Sequence, residues 1–476
     1  MADAHPPPPA VRSDFPSEAA QPATGGAAYG LVRSLRLRNM NQPGVLGEVA
    51  SAIGRVGGNI GEIHSVQRGQ HHVVRDVDVS FADLAMLEAA LAAIRQLAHT
   101  TLLDVRDEVL RVHVGGKIQV VPRYPVGSVA DLRRVYTPGV AEVCRLIARD
   151  PTAADRYTMI GNTVAVVTTG TAVLGLGNIG PVAGMPVMEG KCALMAQLVG
   201  ISAVPILVEP GSDDQVVDAV ARVSQGFGAI QLEDIAAPEC FAIAPALQAR
   251  LDIPVLHDDQ HGTATVVLAA VLRAATLVGR APAELCAGVV GLGAAGSAIA
   301  GLLMHALGRP VLGVGGTPDS VDRLVAAGGT PATLAELMAT ADLVIATTGQ
   351  AGLIAPQLVR PGQVIFALSN PVPEIDPDVA RGAGAAMAVD GAVVNNLLGF
   401  PGLFRGALDT RATRFTTGML VAAAHAIAAH AREDDLVPDA LDPGVHGRVA
   451  QAVAAAAVAD GVARTVPSAD YFDDRP

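Results

Sequence analysis

The chain has 476 residues, so two or three domains are expected rather than one core. Half of its residues are apolar and 17% are charged, a balance that suits buried helices and parallel strands. The formal net charge of -13 argues against nucleic acid or any other polyanionic partner. Four widely spaced cysteines, Cys144, Cys192, Cys240 and Cys286, exclude a disulfide scaffold, read as reduced and mostly buried, and point to the cytoplasm.

Residues 1–29, rich in Pro, Ala and small polar residues, read as a disordered tail with the features of neither a signal peptide nor a spanning helix. Apolar runs such as VAAAAVA (453–459) are too short to cross a bilayer, so no membrane association is expected. LVRSLRLRN (31–39) alternates as a strand, and PGVLGEVASAIGRVGGN (43–59) has helical spacing stopped by Gly57 and Gly58. Two strands (59–67 and 71–80), a helix (82–98) and a last strand, TTLLDVRDEV (100–109), complete βαββαβ. This order predicts a ferredoxin-like module over residues 30–108. Its NQPGVLGEVASAIGRVGGNI (41–60) resembles the start of an ACT domain. The resemblance implies a regulatory site for a small effector at the first turn, although Gly44 and Gly47 could equally just turn the chain.

A second region, 109–270, is expected to be an α/β domain. Ser128 and Asp131 have capping spacing, and YTPGVAEVCRLIA (136–148) predicts a helix with Thr137 as N-cap and Pro138 as its first residue, leaving Tyr136 just outside. TVAVVTTG (163–170) is strand-like and leads to GLGNIG (175–180). The prolines of PVAGMPVMEGK forbid an immediate helix, so a helix is expected from MEGKCALMAQLVG with Lys191 in its opening turn. AVPILVEP, AIQLEDI and IPVLHDD follow as strands, the last two ending in carboxylates on one rim of a parallel sheet, where open α/β sheets bind ligands.

The third region, 271–430, alternates strand and helix as a Rossmann-type, doubly wound dinucleotide-binding domain, and residues 431–476 form a helical extension. GLGAAG (291–296) lies between the apolar strand CAGVV and a helix of small apolar residues. Gly291 makes the tight turn, Gly293 allows close approach of a pyrophosphate and Gly296 packs helix on strand, with Ala294 and Ala295 opening the helix. This turn is therefore the dinucleotide site, and GLGNIG shapes a substrate loop. The acid expected after the next strand to hold the adenosine ribose is replaced by Gly315, and no basic cluster takes its place, so NAD is preferred over NADP without being fixed.

Glu233 and Asp234 in QLEDI and Asp258 and Asp259 in HDDQ place four carboxylates at two strand ends, and four such groups stay ionised together only around a cation. One acid alone would read as a helix cap. Two successive pairs imply Mg2+ or Mn2+. His257 and His261 read as packing or supporting residues rather than zinc ligands. Lys191 lies in an apolar stretch where burial and a nearby metal would lower its pKa and make it a neutral base, and Tyr136 can donate a proton.

Seven motifs in order, YTPGVAEV, VLGLGNIGPVAGMPVMEGK, QLEDIAAPECF, IPVLHDDQHGTA, GLGAAG, ALSNPVPEI and NNLLGFPGLFRGALD, closely resemble the bacterial malic enzyme family over roughly residues 120–430. The resemblance implies oxidative decarboxylation of malate to pyruvate with reduction of NAD (or NADP). It implies Tyr136 as general acid, Lys191 as general base with Asp258 beside it, and Glu233, Asp234 and Asp259 as metal ligands. Asn370 and Asn396 match positions that hold the substrate carboxylate or the nicotinamide side. A homodimer or higher homo-oligomer is implied as well. Thr169 stands where the family usually has an acid. A related hydroxy diacid such as tartrate remains open as substrate. The rival readings are a metal-independent amino-acid dehydrogenase, which the two acid pairs disfavour, and a non-catalytic nucleotide-sensing regulator, which would not need Lys191 and Tyr136.

Overall fold

The alternation along the first hundred residues becomes a sheet with one greasy face. In the computed structural model, which describes residues 31–173 and 175–467, the elements are β1 (Leu31–Met40), α1 (Val45–Arg55), β2 (Asn59–Arg68), β3 (His72–Phe81), α2 (Leu84–Arg95) and β4 (Thr100–Arg106). The antiparallel order β2-β3-β1-β4 is that of the expected ferredoxin-like module. Leu35, Leu37, Val77 and Phe81 of the sheet bury against Val49, Ile53, Leu87 and Ile94 of the helices, forming a core of their own. On the open face Arg36 grips Asp76 through two hydrogen bonds of 2.7 Å. The expected disordered tail, 1–29, lies outside the described residues.

β4 ends three residues sooner than its apolar pattern suggests, because the Asp107 side chain accepts the Leu110 amide and starts α3 (Glu108–His113). α4 (Val129–Val135), α5 (Val140–Arg149) and α6 (Ala154–Tyr157) follow. Ser128 caps α4 through the Asp131 amide, as its spacing predicts. Thr137 and Pro138, however, do not open a helix. Tyr136 is the C-cap of α4, and the Gly139 and Val140 amides are taken by the Arg133 and Tyr136 carbonyls, so α5 begins only at Val140. Neither α4 nor α5 has a buried residue.

The second sheet comprises β5 (Thr163–Thr168), α7 (Pro181–Val199), β6 (Ser202–Leu207), α8 (Asp213–Val223), β7 (Ala229–Glu233), α9 (Glu239–Arg250) and β8 (Val255–His257), closed by α10 (Thr263–Leu277). Its strands are parallel in the order β6-β5-β7-β8, and β5 and β7 are buried along their whole length. One expectation fails here. α7 starts directly at Pro181, so Lys191 sits in mid-helix rather than in an opening turn. Proline at the first helical position loses no bond, since that N–H would be unpaired anyway, and Pro186 forfeits a single rung of a long helix.

The third sheet takes β9 (Ala287–Val290), α11 (Ala294–Leu307), β10 (Leu312–Val314), α12 (Pro318–Ala326), β11 (Thr330–Pro331), α13 (Leu334–Thr340), β12 (Leu343–Ala346), β13 (Val364–Ala367), α14 (Pro377–Gly382) and β14 (Met387–Asp390). Its parallel order, β11-β10-β9-β12-β13-β14, is the Rossmann order, with the switch point beside β9. α15 (Phe400–Asp409), α16 (Thr417–His430) and α17 (Pro443–Ala459) then pack back on the body. A single apolar cluster runs through both parallel sheets and these helices, from Val164 and Met188 through Val289 and Ile299 to Phe404 and Val449. Removing a ring as buried as Phe404 generally costs about 3–5 kcal/mol. The cysteines are free; Cys192 and Cys240 are buried, which pushes their thiols up to about 12, whereas Cys144 is exposed. Among the described residues no helix is long and apolar enough to cross a membrane.

Candidate active site

β7 and β8 are neighbours in register, Leu232 opposite His257, so the acids that follow them emerge side by side. Glu233 closes β7, Asp234 follows it, and Asp258 and Asp259 begin a π-type turn, Asp258–Gly262. That turn has room for no side chain at residue 262: a Cβ there would lie 1.8 Å from Asp258 Oδ1. Glu233, Asp234 and Asp258 are almost wholly buried. One oxygen from each of Glu233, Asp234 and Asp259 lies within 4.8 Å of the others, a spacing that suits a metal ion.

α7 delivers Lys191 into the same place. Its Nζ donates to Asp258 Oδ2 at 2.5 Å, lies 3.0 Å from Glu233 Oε1 and sits 4.6 Å above the centre of the Phe400 ring. Asn396, one turn before α15, donates its amide to the same Asp258 oxygen at 2.8 Å. Gln231, two residues before Glu233 and therefore on the same strand face, donates to Glu233 Oε2 at 2.7 Å. Sequence reasoning missed Gln231 and Phe400. The period of two along β7 and the four-residue step from Asn396 to Phe400 are the signals that could have found them.

The electrostatics correct a further expectation. Burial does disfavour a charge on Lys191, but Asp258, Glu233 and Asp259 outweigh it, and its pKa is raised above the usual lysine range. The reading from the apolar stretch considered only chain neighbours, whereas the strands bring the acids from 42 to 68 residues away. The carboxylates respond in kind. Burial, reinforced by their mutual repulsion, lifts Glu233 to about 7, Asp234 to about 8, Asp258 to about 7 and Asp259 to about 6. Burial holds His257 and His261 down at about 4, so both are neutral near pH 7.

A dication answers this arrangement. Four carboxylates face one ammonium, and Asp234 Oδ2 is buried without a hydrogen-bond partner among the described residues. The donors are all oxygen, which fits Mg2+ or Mn2+. A stability consequence follows. The four groups bind protons more tightly folded than unfolded, where they titrate near 4, so their contribution is greatest below about pH 4 and is lost as pH rises from there through about 6 to 8. In EDTA the melting temperature is expected to fall between about pH 6 and about pH 8, and saturating Mn2+ to flatten that slope. A slope unchanged by Mn2+ would count against a cation at these acids.

The glycine turn GLGAAG joins β9 to α11 as its sequence requires. Gly291 has φ of 94°, in the left-handed region, and a Cβ at Gly296 would lie 1.8 Å from the Gly291 carbonyl oxygen. At Gly293 a Cβ would meet nothing within 4 Å, which leaves the approach to the turn open, and Ala294 and Ala295 form the first turn of α11. Gly315 follows directly on β10, so no side chain projects from the position where a ribose-binding acid would stand. Two of the predicted residues are exposed, unlike the lysine and its acids. Asn370 is exposed after β13, and Tyr136 is 68% exposed with no hydrogen bond from its hydroxyl among the described residues.

Comparison with known proteins bears on the family of the chain. The family model for the malic enzyme N-terminal domain matches residues 115–248, that for the malic enzyme NAD binding domain matches 362–466, and that for the ACT domain matches 33–99. NAD-dependent malic enzyme 1 of Bacillus subtilis is 50% identical over 430 residues, covering 90% of this chain and 98% of the relative. The NAD-dependent malic enzyme of Geobacillus stearothermophilus is 38% identical over 474 residues, covering 94% and 98%. Among solved structures, the malic enzyme from Pyrococcus horikoshii superposes with a TM-score of 0.72 at 41% identity, covering 75% of this chain and 90% of that one. The ordered motifs, the two parallel sheets and these matches lead to one conclusion: the chain belongs to the malic enzyme family.

Proposed function

We propose that this chain oxidises and decarboxylates malate to pyruvate and CO2, reducing NAD, with Mg2+ or Mn2+ held by Glu233, Asp234 and Asp259. The observation that carries the reading is a buried lysine hydrogen-bonded to Asp258 beside three converging carboxylates. When bound, the dication polarises the C2 oxygen of the hydroxy acid and the dinucleotide supplies the hydride acceptor. Lys191 takes the hydroxyl proton as the C2 hydride departs, leaving a β-keto acid. With the acids around it neutralised, the upward push on Lys191 weakens and burial favours its neutral form. Asp258 aims the amine, and its negative charge balances that of the ammonium once the proton is taken. The C4 carboxylate then leaves as CO2, its bonding pair forming an enolate that Tyr136 protonates at C3 to give pyruvate. Asn396 and Asn370 hold the substrate carboxylate or the nicotinamide side, and Gly291, Gly293, Ala294, Ala295 and Gly296 receive the pyrophosphate.

The reading extends to assembly and control. Val120, Val121, Val129, Leu132, Tyr136 and Val140 are all exposed on the segment that carries the acid, an apolar face that supports burial against a second copy in a homodimer or higher oligomer. The ACT-like module binds a small effector, and the free cysteines support a cytoplasmic location. The direct test is reduction of NAD with L-malate and Mn2+, with tartrate as the competing substrate and pyruvate measured as product. No turnover with malate would refute the proposal. Tyr136→Phe is expected to lower pyruvate formation by about 10²–10⁴-fold while leaving oxaloacetate reduction, which needs no enolate protonation, close to normal. Equal loss of both reactions would remove Tyr136 from the protonation step.

A further inference from the structure

We infer that Thr171, backed by Thr169, is a positioning residue that holds Asp234 in its metal-binding pose; this rests on the ion site proposed above. Asp234 has φ of 54°, one of two described non-glycine residues in the left-handed region, so its backbone must be held there by its surroundings. The holding contacts come mainly from the loop after β5, the strand next to β7. The Thr171 and Ala172 amides both donate to the Asp234 carbonyl at 3.1 Å. On the exit side the Ala236 amide donates to Thr171 Oγ1 at 3.0 Å, and that hydroxyl shares a 2.9 Å hydrogen bond with Thr169 Oγ1. Thr169 is buried, so its hydroxyl has little access to water. Thr171 thus clamps residue 234 from both sides, through its amide on one and its hydroxyl on the other.

The carboxylate is left free for a ligand. Asp234 Oδ2 has no hydrogen-bond partner among the described residues, and the Asp234 amide is taken by Asp259 Oδ2 at 2.9 Å, which ties a second acid of the cluster to the same backbone. Without the Thr171 hydroxyl, the Ala236 amide loses its acceptor and residue 234 can relax toward ordinary backbone angles, swinging its carboxylate out of the cluster. The geometry therefore makes the threonine pair a determinant of cation affinity.

The test is Mn2+ binding to the full chain by titration calorimetry, without substrate or dinucleotide. Thr171→Val keeps the shape and removes the hydroxyl; it is expected to weaken Mn2+ binding about 10- to 100-fold, while Thr171→Ser restores it to within about threefold. Thr169→Val, which leaves the Ala236 amide bonded, is expected to give a smaller loss and decides the matter if Thr171→Val does not fold. A merely structural role would lower the melting temperature and leave Mn2+ affinity untouched; that result, or equal weakening by Thr171→Ser and Thr171→Val, overturns the inference. Absence of Mn2+ binding in the unaltered chain would instead refute the ion site itself.

Discussion

Lys191→Ala is expected to lower kcat for malate oxidation by about 10²–10⁴-fold, with kcat/KM falling in parallel. Among the described residues the amine is the only lysine or arginine nitrogen paired with the acid cluster, where it contacts Asp258, Glu233 and the Phe400 ring. Removing it also strands two buried carboxylates without their counter-charge, so some loss of thermal stability should accompany the loss of rate. The two effects separate in a ligand-binding measurement: a folded Lys191→Ala protein should still bind NAD, because the glycine turn lies on another sheet. Lys191→Arg should not rescue, since a planar fork cannot occupy the space of a compact ammonium or act as a base. Near-normal turnover in Lys191→Ala would overturn the base assignment.

The second large effect concerns the ion. EDTA is expected to abolish turnover, Mn2+ or Mg2+ to restore it, and Asp259→Asn to lower kcat/KM by about 10²-fold or more even at saturating metal. Asp259 contributes twice, as one of three convergent oxygens and as acceptor for the Asp234 amide. An asparagine could keep the second contact through its carbonyl but would bring no charge. Activity that survives complete chelation would refute the role given to Glu233, Asp234 and Asp259.

How much of this was legible depends on where each signal resides. The strand–turn–helix geometry of GLGAAG was readable because its physics is local: strand, three glycines and helix stand within a dozen residues of one another. The convergence of Glu233, Asp234, Asp258 and Asp259 was also readable, since parallel strands that both end in acids must deliver them to one edge. Lys191 was found for its chemistry but misjudged in its surroundings, because its charge partners come from β7 and β8 rather than from α7. The helix at Pro181 was misread by treating proline as a breaker at a position where it is harmless. At Tyr136 the capping rule for Thr137 and Pro138 was overridden when α4 and α5 met in a tighter junction than two residues suggest. Thr171 left no trace in the pattern, for the role proposed for it rests on a left-handed residue, Asp234, just after a neighbouring strand.

The two parallel sheets share one apolar interior, while the N-terminal four-stranded sheet keeps its own. Descent can therefore treat the two parts differently. The catalytic body must be inherited whole, because cutting between its lobes would open the common interior to water, whereas the front module is a self-sufficient attachment that a lineage can acquire, exchange or discard without redesigning the machinery behind it.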